Sequence, residues 1–183
     1  MRILVTACFV LVALAGQAQA ELSYGLRAQG WVNDLSQCNA IIGQGLQLEA
    51  PMADRWTLVL GASQFSQSSD TNSETRDTQI IQVQPEVRVY PMGERGKRMG
   101  LFLGPNLSVS SVNTTAMSFG GEARTIEQNE LIFGAGVTTG FKAHLVGRFY
   151  TGMQATLNYV MNEHGSSEAQ GFGGASLGYR FGR

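Results

Sequence analysis

Hydrophobic and polar residues alternate with a period of two along most of the chain after residue 20. This alternation is typical of β-strands, whose successive side chains point to opposite faces. No long stretch shows helical periodicity, so the sequence predicts an all-β domain. The predicted strands cover residues 22 to 32, 40 to 50, 56 to 65, 79 to 90, 99 to 112, 128 to 143, 148 to 161 and 171 to 181.

The two faces of each predicted strand differ in charge. One face carries no charged residue and contains side chains such as Leu58, Leu103 and Leu157, whereas the other holds the charges together with Gln, Asn and Gly. A transmembrane barrel turns an apolar face to lipid and a polar face to its lumen. Because a sheet in lipid must close to satisfy its backbone groups, we predict a closed, antiparallel, eight-stranded, up-and-down transmembrane β-barrel.

The predicted lumenal face holds eight charged side chains of both signs. We expect them to pair, because an unpaired buried charge is costly. An eight-stranded barrel is only wide enough for side chains, which predicts a plugged lumen and leaves a narrow pore as an alternative. The predicted lumenal network consists of Arg27, Glu49, Glu86, Arg88, Glu130, Lys142, Arg148 and Arg180.

Short and long connections alternate along the chain. The longer, polar ones are residues 33 to 39, 66 to 78, 113 to 127 and 162 to 170. Outer-membrane barrels have short periplasmic turns and longer external loops, so both ends of the barrel are expected on the periplasmic side. Outward-facing aromatic residues near that side predict an interfacial girdle. The girdle residues are Tyr24, Trp56, Phe141, Phe149, Tyr179 and Phe181.

Two prolines interrupt the predicted fourth and fifth strands. Pro85 and Pro105 have no N–H to donate to a ladder, and a closed barrel has no free edge where this would be harmless. We therefore expect a bulge or a local break at each.

The first twenty residues have the pattern of a secretory signal peptide. Arg2 precedes an apolar run from Ile3 to Ala15, and Ala18-Gln19-Ala20 is a cleavage signature that predicts cleavage before Glu21. The run is shorter than the ~20 apolar residues of a membrane-spanning helix. Residues 1–20 are thus predicted to be removed, and residues 21–183 to form one barrel domain.

The closing segment resembles a known superfamily. Leu177-Gly178-Tyr179-Arg180-Phe181 is similar to the last strand of small Gram-negative outer-membrane barrels of the OmpX, Ail and OmpA membrane-domain type. The resemblance implies export to the periplasm, insertion by the barrel assembly machinery, and a monomer in contact with outer-membrane lipid and lipopolysaccharide. In that superfamily the terminal aromatic residue is usually the last one, whereas here Gly182 and Arg183 follow Phe181.

One short motif could carry chemistry. His164 and Ser166 resemble the His-x-Ser pair of PagL-type lipid A deacylases, in which a base activates a nucleophile. That motif continues with Asn, whereas Ser167 follows here, and polar loops are rich in Ser and Gly in any case. We expect a non-enzymatic protein of envelope structure or surface interaction, without cofactor or metal. A lipid A-modifying enzyme is the alternative.

The remaining composition excludes some partners. The four longer connections carry eight carboxylates against two arginines, and nucleic-acid binding needs a basic patch, so no nucleic-acid partner is expected. Cys38 is the only cysteine after the predicted signal peptide, which excludes an intramolecular disulfide. A soluble lipocalin-like barrel is a further alternative, but it would leave the aromatic girdle unexplained.

Overall fold

The chain forms a closed barrel of eight antiparallel strands. The computed structural model describes residues 21–31, 40–70, 74–92, 99–118 and 124–181. Each strand pairs with its neighbour in sequence, and the last pairs with the first, which confirms the predicted fold. The strands are β1 (Glu21–Trp31), β2 (Ala40–Ala53), β3 (Trp56–Asp70), β4 (Glu74–Val89), β5 (Met99–Ser118), β6 (Arg124–His144), β7 (Phe149–Asn162) and β8 (Ser167–Arg180).

The predicted signal peptide lies outside the described residues. Within the described ranges, no helix is long and apolar enough to cross a membrane.

The alternation in the sequence becomes an alternation in burial. On β5, Asn106 and Ser108 are buried in the lumen. Leu107, which lies between them, and Leu103, earlier on the same strand, are 58% and 53% exposed on the outer wall. The same parity holds on the other strands whose side chains are described. A slip of one residue would turn every apolar side chain inward, so the apolar outer face fixes the register.

Two hairpins extend much further than the sequence predicts. The β3–β4 ladder continues to the pair Asp70↔Thr75, and the β5–β6 ladder to Ser118↔Arg124. Most of the predicted long connections 66 to 78 and 113 to 127 are therefore paired strand. Where these hairpins extend beyond the membrane, water surrounds both of their faces. The alternation of hydrophobic and polar residues therefore ends there, although the backbone pairing continues.

The prolines produce a local break without a bulge. Between β4 and β5, Pro85 and Pro105 have no paired residue on the opposite strand. The pair Glu86↔Asn106, which lies between the levels of the two prolines, is kept. The register is the same on both sides of this interruption. The seams toward β3 and β6 remain continuous at the prolines, so each strand is held by its other neighbour.

Candidate functional site

The most organised cluster of side chains lies inside the periplasmic half of the barrel. Glu49 accepts hydrogen bonds from both cations there: Nη1 of Arg88 lies 3.1 Å from its Oε1, and Nζ of Lys142 lies 2.7 Å from its Oε2. Glu86 binds the same guanidinium through two contacts, with Nε–Oε1 at 2.7 Å and Nη2–Oε2 at 3.3 Å. All four side chains are buried, and their two positive and two negative charges balance. We call these four residues the ionic layer.

Neutral amides complete the hydrogen bonding of the ionic layer. Nη2 of Arg88 donates to Oε1 of Gln47 at 3.1 Å and to Oε1 of Gln154 at 2.7 Å. Nε2 of Gln47 donates in turn to Glu49 at 2.6 Å. Buried ion pairs offset their desolvation only when further hydrogen bonds satisfy the remaining donors and acceptors. This layer meets that condition with residues from four different strands.

Aromatic rings close the lumen beside the ionic layer. The guanidinium carbon of Arg88 lies 4.2 Å from the ring centre of Phe102, and Nζ of Lys142 lies 3.9 Å from that of Tyr150. Tyr90 packs on Phe102 with 5.7 Å between ring centres. Cations over ring faces are attracted by the ring quadrupole. Each cation of the ionic layer is therefore packed on an aromatic ring of the neighbouring strand.

Hydroxyl and amide groups fill the next level toward the external side. Oγ1 of Thr138 lies 2.9 Å from that of Thr156 and accepts a hydrogen bond from Nδ2 of Asn106 at 3.1 Å. Nδ2 of Asn158 donates to Ser108 at 3.1 Å. These contacts join the neighbouring strands β5, β6 and β7 inside the lumen, and we call this level the amide layer.

An apolar cluster lies above the amide layer, where the sequence predicts a polar lumenal face. Ile41, Phe65, Ile80 and Phe172 are buried in the lumen, with Val112 packed against them. Each of the five lies on the inward-facing positions of its strand; Phe65, for example, alternates with outward residues in step with the buried Ser63. The two-residue period therefore identifies these positions as lumenal, although their side chains are apolar.

The predicted lumenal network is only partly assembled. Glu49, Glu86, Arg88 and Lys142 come together as described, whereas Glu130 is half-buried near the external end. Nη2 of Arg180 lies 3.2 Å from Nε2 of His144 at the periplasmic end. The side chain of Arg27 lies outside the described residues.

Arg148 requires a correction. It was expected inside the barrel at the start of a strand, but it is exposed in the turn of residues 145–148 before β7. The turn contains Gly147 with a φ of 63°, a conformation that favours glycine. The strand begins at Phe149, so Arg148 has no strand face to follow.

The aromatic residues of the predicted girdle are on the outer wall. Trp56, Phe149 and Phe181 are exposed, and Phe141 and Tyr179 are half-buried. Tyr179 makes edge contacts with Phe149 and Phe181, with ring centres 5.2 and 5.1 Å apart. Tyr24 is also outward, and its hydroxyl donates to Oε1 of Gln44 at 2.7 Å.

His164 and Ser166 lie in the exposed turn between β7 and β8. Their backbone N–H groups both donate to Oδ1 of Asn162, at 3.2 and 2.8 Å, which shapes the turn. Nε2 of His164 lies 4.0 Å from a carboxylate oxygen of Glu163. In this described turn, no hydrogen bond joins the His164 ring to the Ser166 hydroxyl.

The external mouth of the barrel contains an open pocket of about 410 Å³ near this turn. Ser166 contributes to its wall, together with Glu130 of β6 and Glu168 of β8. No group of three or more His, Cys, Asp or Glu side chains that could hold a metal ion occurs in the ranges that the structure describes.

The closed barrel, its apolar outer wall and its packed interior define a transmembrane β-barrel protein. The chain belongs to a family described as "Protein of unknown function (DUF3575)", whose model matches residues 4–176. No curated protein matches the sequence.

Solved structures with the same fold share little sequence with the chain. OprG from Pseudomonas aeruginosa has a TM-score of 0.59 at 12% identity, covering 91% of this chain and 97% of that one. Ail, the attachment invasion locus protein of Yersinia pestis, has a TM-score of 0.56 at 15% identity, covering 90% and 99%. Neisserial surface protein A has a TM-score of 0.54 at 13% identity, covering 88% and 94%.

Proposed function

We propose that this protein is a non-enzymatic, non-conducting outer-membrane barrel that contributes to the envelope through its wall and its external hairpins. The observation that carries the proposal is the filling of the lumen. Aromatic rings, the ionic layer, the amide layer and the apolar cluster follow one another from the periplasmic to the external end. Each level contains side chains contributed by several strands, so an ion would have to displace all four.

The external hairpins are suited to polar contacts outside the membrane. The β3–β4 hairpin is held by a hydrogen bond from Ser68 to Asp77 across the two strands, and Arg76 and Glu74, both on β4, form an exposed ion pair at 3.1 Å. An open polar groove of about 330 Å³ runs along this hairpin and β5, with Gln67, Thr78 and Asn113 in its wall. The likeness to Ail, whose name refers to attachment, and to a Neisserial surface protein supports a role at the cell surface.

Conductance across a planar bilayer tests the closed lumen. The protein is refolded in detergent, its folded state is checked by a heat-modifiable gel shift, and it is added at the concentration at which a trimeric porin control gives channels. The proposal predicts a current equal to that of the bare bilayer. Steady steps of conductance from the folded wild-type protein would contradict it.

The absence of an enzymatic role is tested separately by mass spectrometry of lipid A. Cells that express the wild-type protein are compared with cells that express His164→Ala and with cells that carry no copy. The proposal predicts identical acyl-chain patterns in all three. Loss of an acyl chain only with the wild-type protein would instead establish lipid A modification.

A further inference from the structure

A groove on the lipid-facing wall contains two glutamines where hydrocarbon is expected. It is about 350 Å³ in volume and extends over β1, β2, β3 and β4. Gln44 and Gln64 face each other across the β2–β3 ladder, and both side chains point outward. Ala62, whose side chain is small, leaves the space between them and the bulkier Leu46.

The position of these amides relative to the apolar band is unusual. On β2, Gln44 lies between the outward side chains of Ile42 and Leu46, which are 71% and 53% exposed, so it is inside the band. On β3 the outward residues change from apolar to polar at Gln64, which places it at the external border of the band. Both residues lie in the half of the wall that faces the outer leaflet.

Two outward hydroxyls elsewhere in the wall are hydrogen-bonded to the backbone. The hydroxyl of Thr139 donates to the backbone oxygen of Phe102 at 3.1 Å, and that of Thr151 to the backbone oxygen of Ser176 at 2.9 Å. The two glutamines differ. Oε1 of Gln44 accepts from Tyr24, but its amide protons and the whole amide of Gln64 make no hydrogen bond to the described part of the chain. Unpaired polar groups in hydrocarbon are costly, so a partner from the membrane is expected.

We propose that this groove binds one acyl chain of lipid A through hydrogen bonds to Gln44 and Gln64. A glutamine amide has two donor protons and an acceptor oxygen. The carbonyl groups of a glycerophospholipid can accept but not donate. The amide-linked and hydroxyl-bearing acyl chains of lipid A do both, close to the start of the chain, and lipid A occupies the outer leaflet. The volume is also within the ~300–1,000 Å³ of ligand sites.

Native mass spectrometry of the full chain in detergent tests this proposal. The protein is mixed with hexa-acylated lipid A or with dioleoyl phosphatidylglycerol at equal concentrations, and the fraction that retains one lipid is measured. Wild-type protein should retain a single lipid A. The double variant Gln44→Leu, Gln64→Leu removes the hydrogen-bonding groups of the groove. Leucine suits a position that faces hydrocarbon, so the barrel of this variant should still fold. Retention of lipid A should fall roughly tenfold or more with the loss of two such bonds.

A second pair of variants separates the groove from the wall in general. Ala62→Leu fills the groove and should also abolish retention, whereas Ala135→Leu changes an equally outward alanine on β6 and should leave it unchanged. The proposal would be overturned if the wild-type protein retained phosphatidylglycerol as well as lipid A, or if the two alanine variants had equal effects. A protein dimer in place of the lipid complex would overturn it too.

Discussion

Removing one charge from the ionic layer should destabilise the barrel strongly, and removing an opposite charge with it should cost less than the two single losses added together. Glu49→Gln leaves Arg88 and Lys142 in a buried site with only Glu86 to balance them. Lys142→Met leaves Glu49 and Glu86 with only Arg88, while the thioether keeps an apolar contact with the Tyr150 ring. Breaking a buried pair by removing one partner costs about 3–5 kcal/mol, so each single variant should lose that much free energy of unfolding.

The double variant distinguishes charge balance from packing. With both substitutions the layer contains the Arg88–Glu86 pair alone and is neutral again. Neighbouring residues in one network couple by about 0.5–3 kcal/mol, so the double variant should be more stable than the sum of the single effects predicts by that amount. Glu74→Gln at the exposed Arg76–Glu74 pair is the control and should cost about 0–1 kcal/mol.

Reversible urea unfolding in liposomes, followed by tryptophan fluorescence, gives the free energies of unfolding of the wild type and of the four variants. The folded fraction of each variant is checked beforehand by its heat-modifiable gel shift. Additive effects of Glu49→Gln and Lys142→Met would refute the reasoning, since they would show that the two side chains act independently. Effects no larger than that of Glu74→Gln would show that water reaches the ionic layer.

Two further predictions concern the lipid-facing leucines and the glycines of the strands. Leu58→Arg and Leu103→Arg should each lower the free energy of unfolding in liposomes by about 2–4 kcal/mol, because lipid near the bilayer midplane does not solvate a guanidinium; an unchanged value at both sites would contradict a lipid-facing wall. Gly104→Ala would place its methyl group against the backbone oxygen of Val87 and should cost about 1–3 kcal/mol, whereas Gly173→Ala, with open space around it, is the matched substitution that should fold with near wild-type stability.

The fold was predictable because its determinants are local. The two-residue alternation fixes which face of each strand meets lipid, and eight alternating stretches leave one closed arrangement. The extended hairpins were not predictable from that pattern, since residues such as Ser68, Thr75 and Thr114 have water on both sides and carry no hydrophobic period. The backbone ladder that pairs them has no signature in the side chains.

The site was predictable in part for the same reason. Glu49, Glu86, Arg88 and Lys142 lie within strands, so their parity alone brings them to the lumen. Arg148 lies one residue before β7 begins, and outside a strand the two-residue period does not predict which way a side chain points. Phe65 of the apolar cluster faces the lumen on β3, a strand without a charged lumenal residue, and it shows that a lumenal face is defined by position rather than by polarity.

The central claim is that one face of the barrel wall meets lipid while the other is packed away from both lipid and water. Single spin labels on β5, in a Cys38→Ser background and in liposomes, test it through their collisions with oxygen and with a water-soluble nickel chelate. The account predicts frequent oxygen collisions at Leu103, Leu107 and Val109, and few collisions with either reagent at Asn106, Ser108 and Ser110. Nickel access at the second set would contradict a packed lumen, and equal oxygen access along the strand would contradict the barrel wall itself.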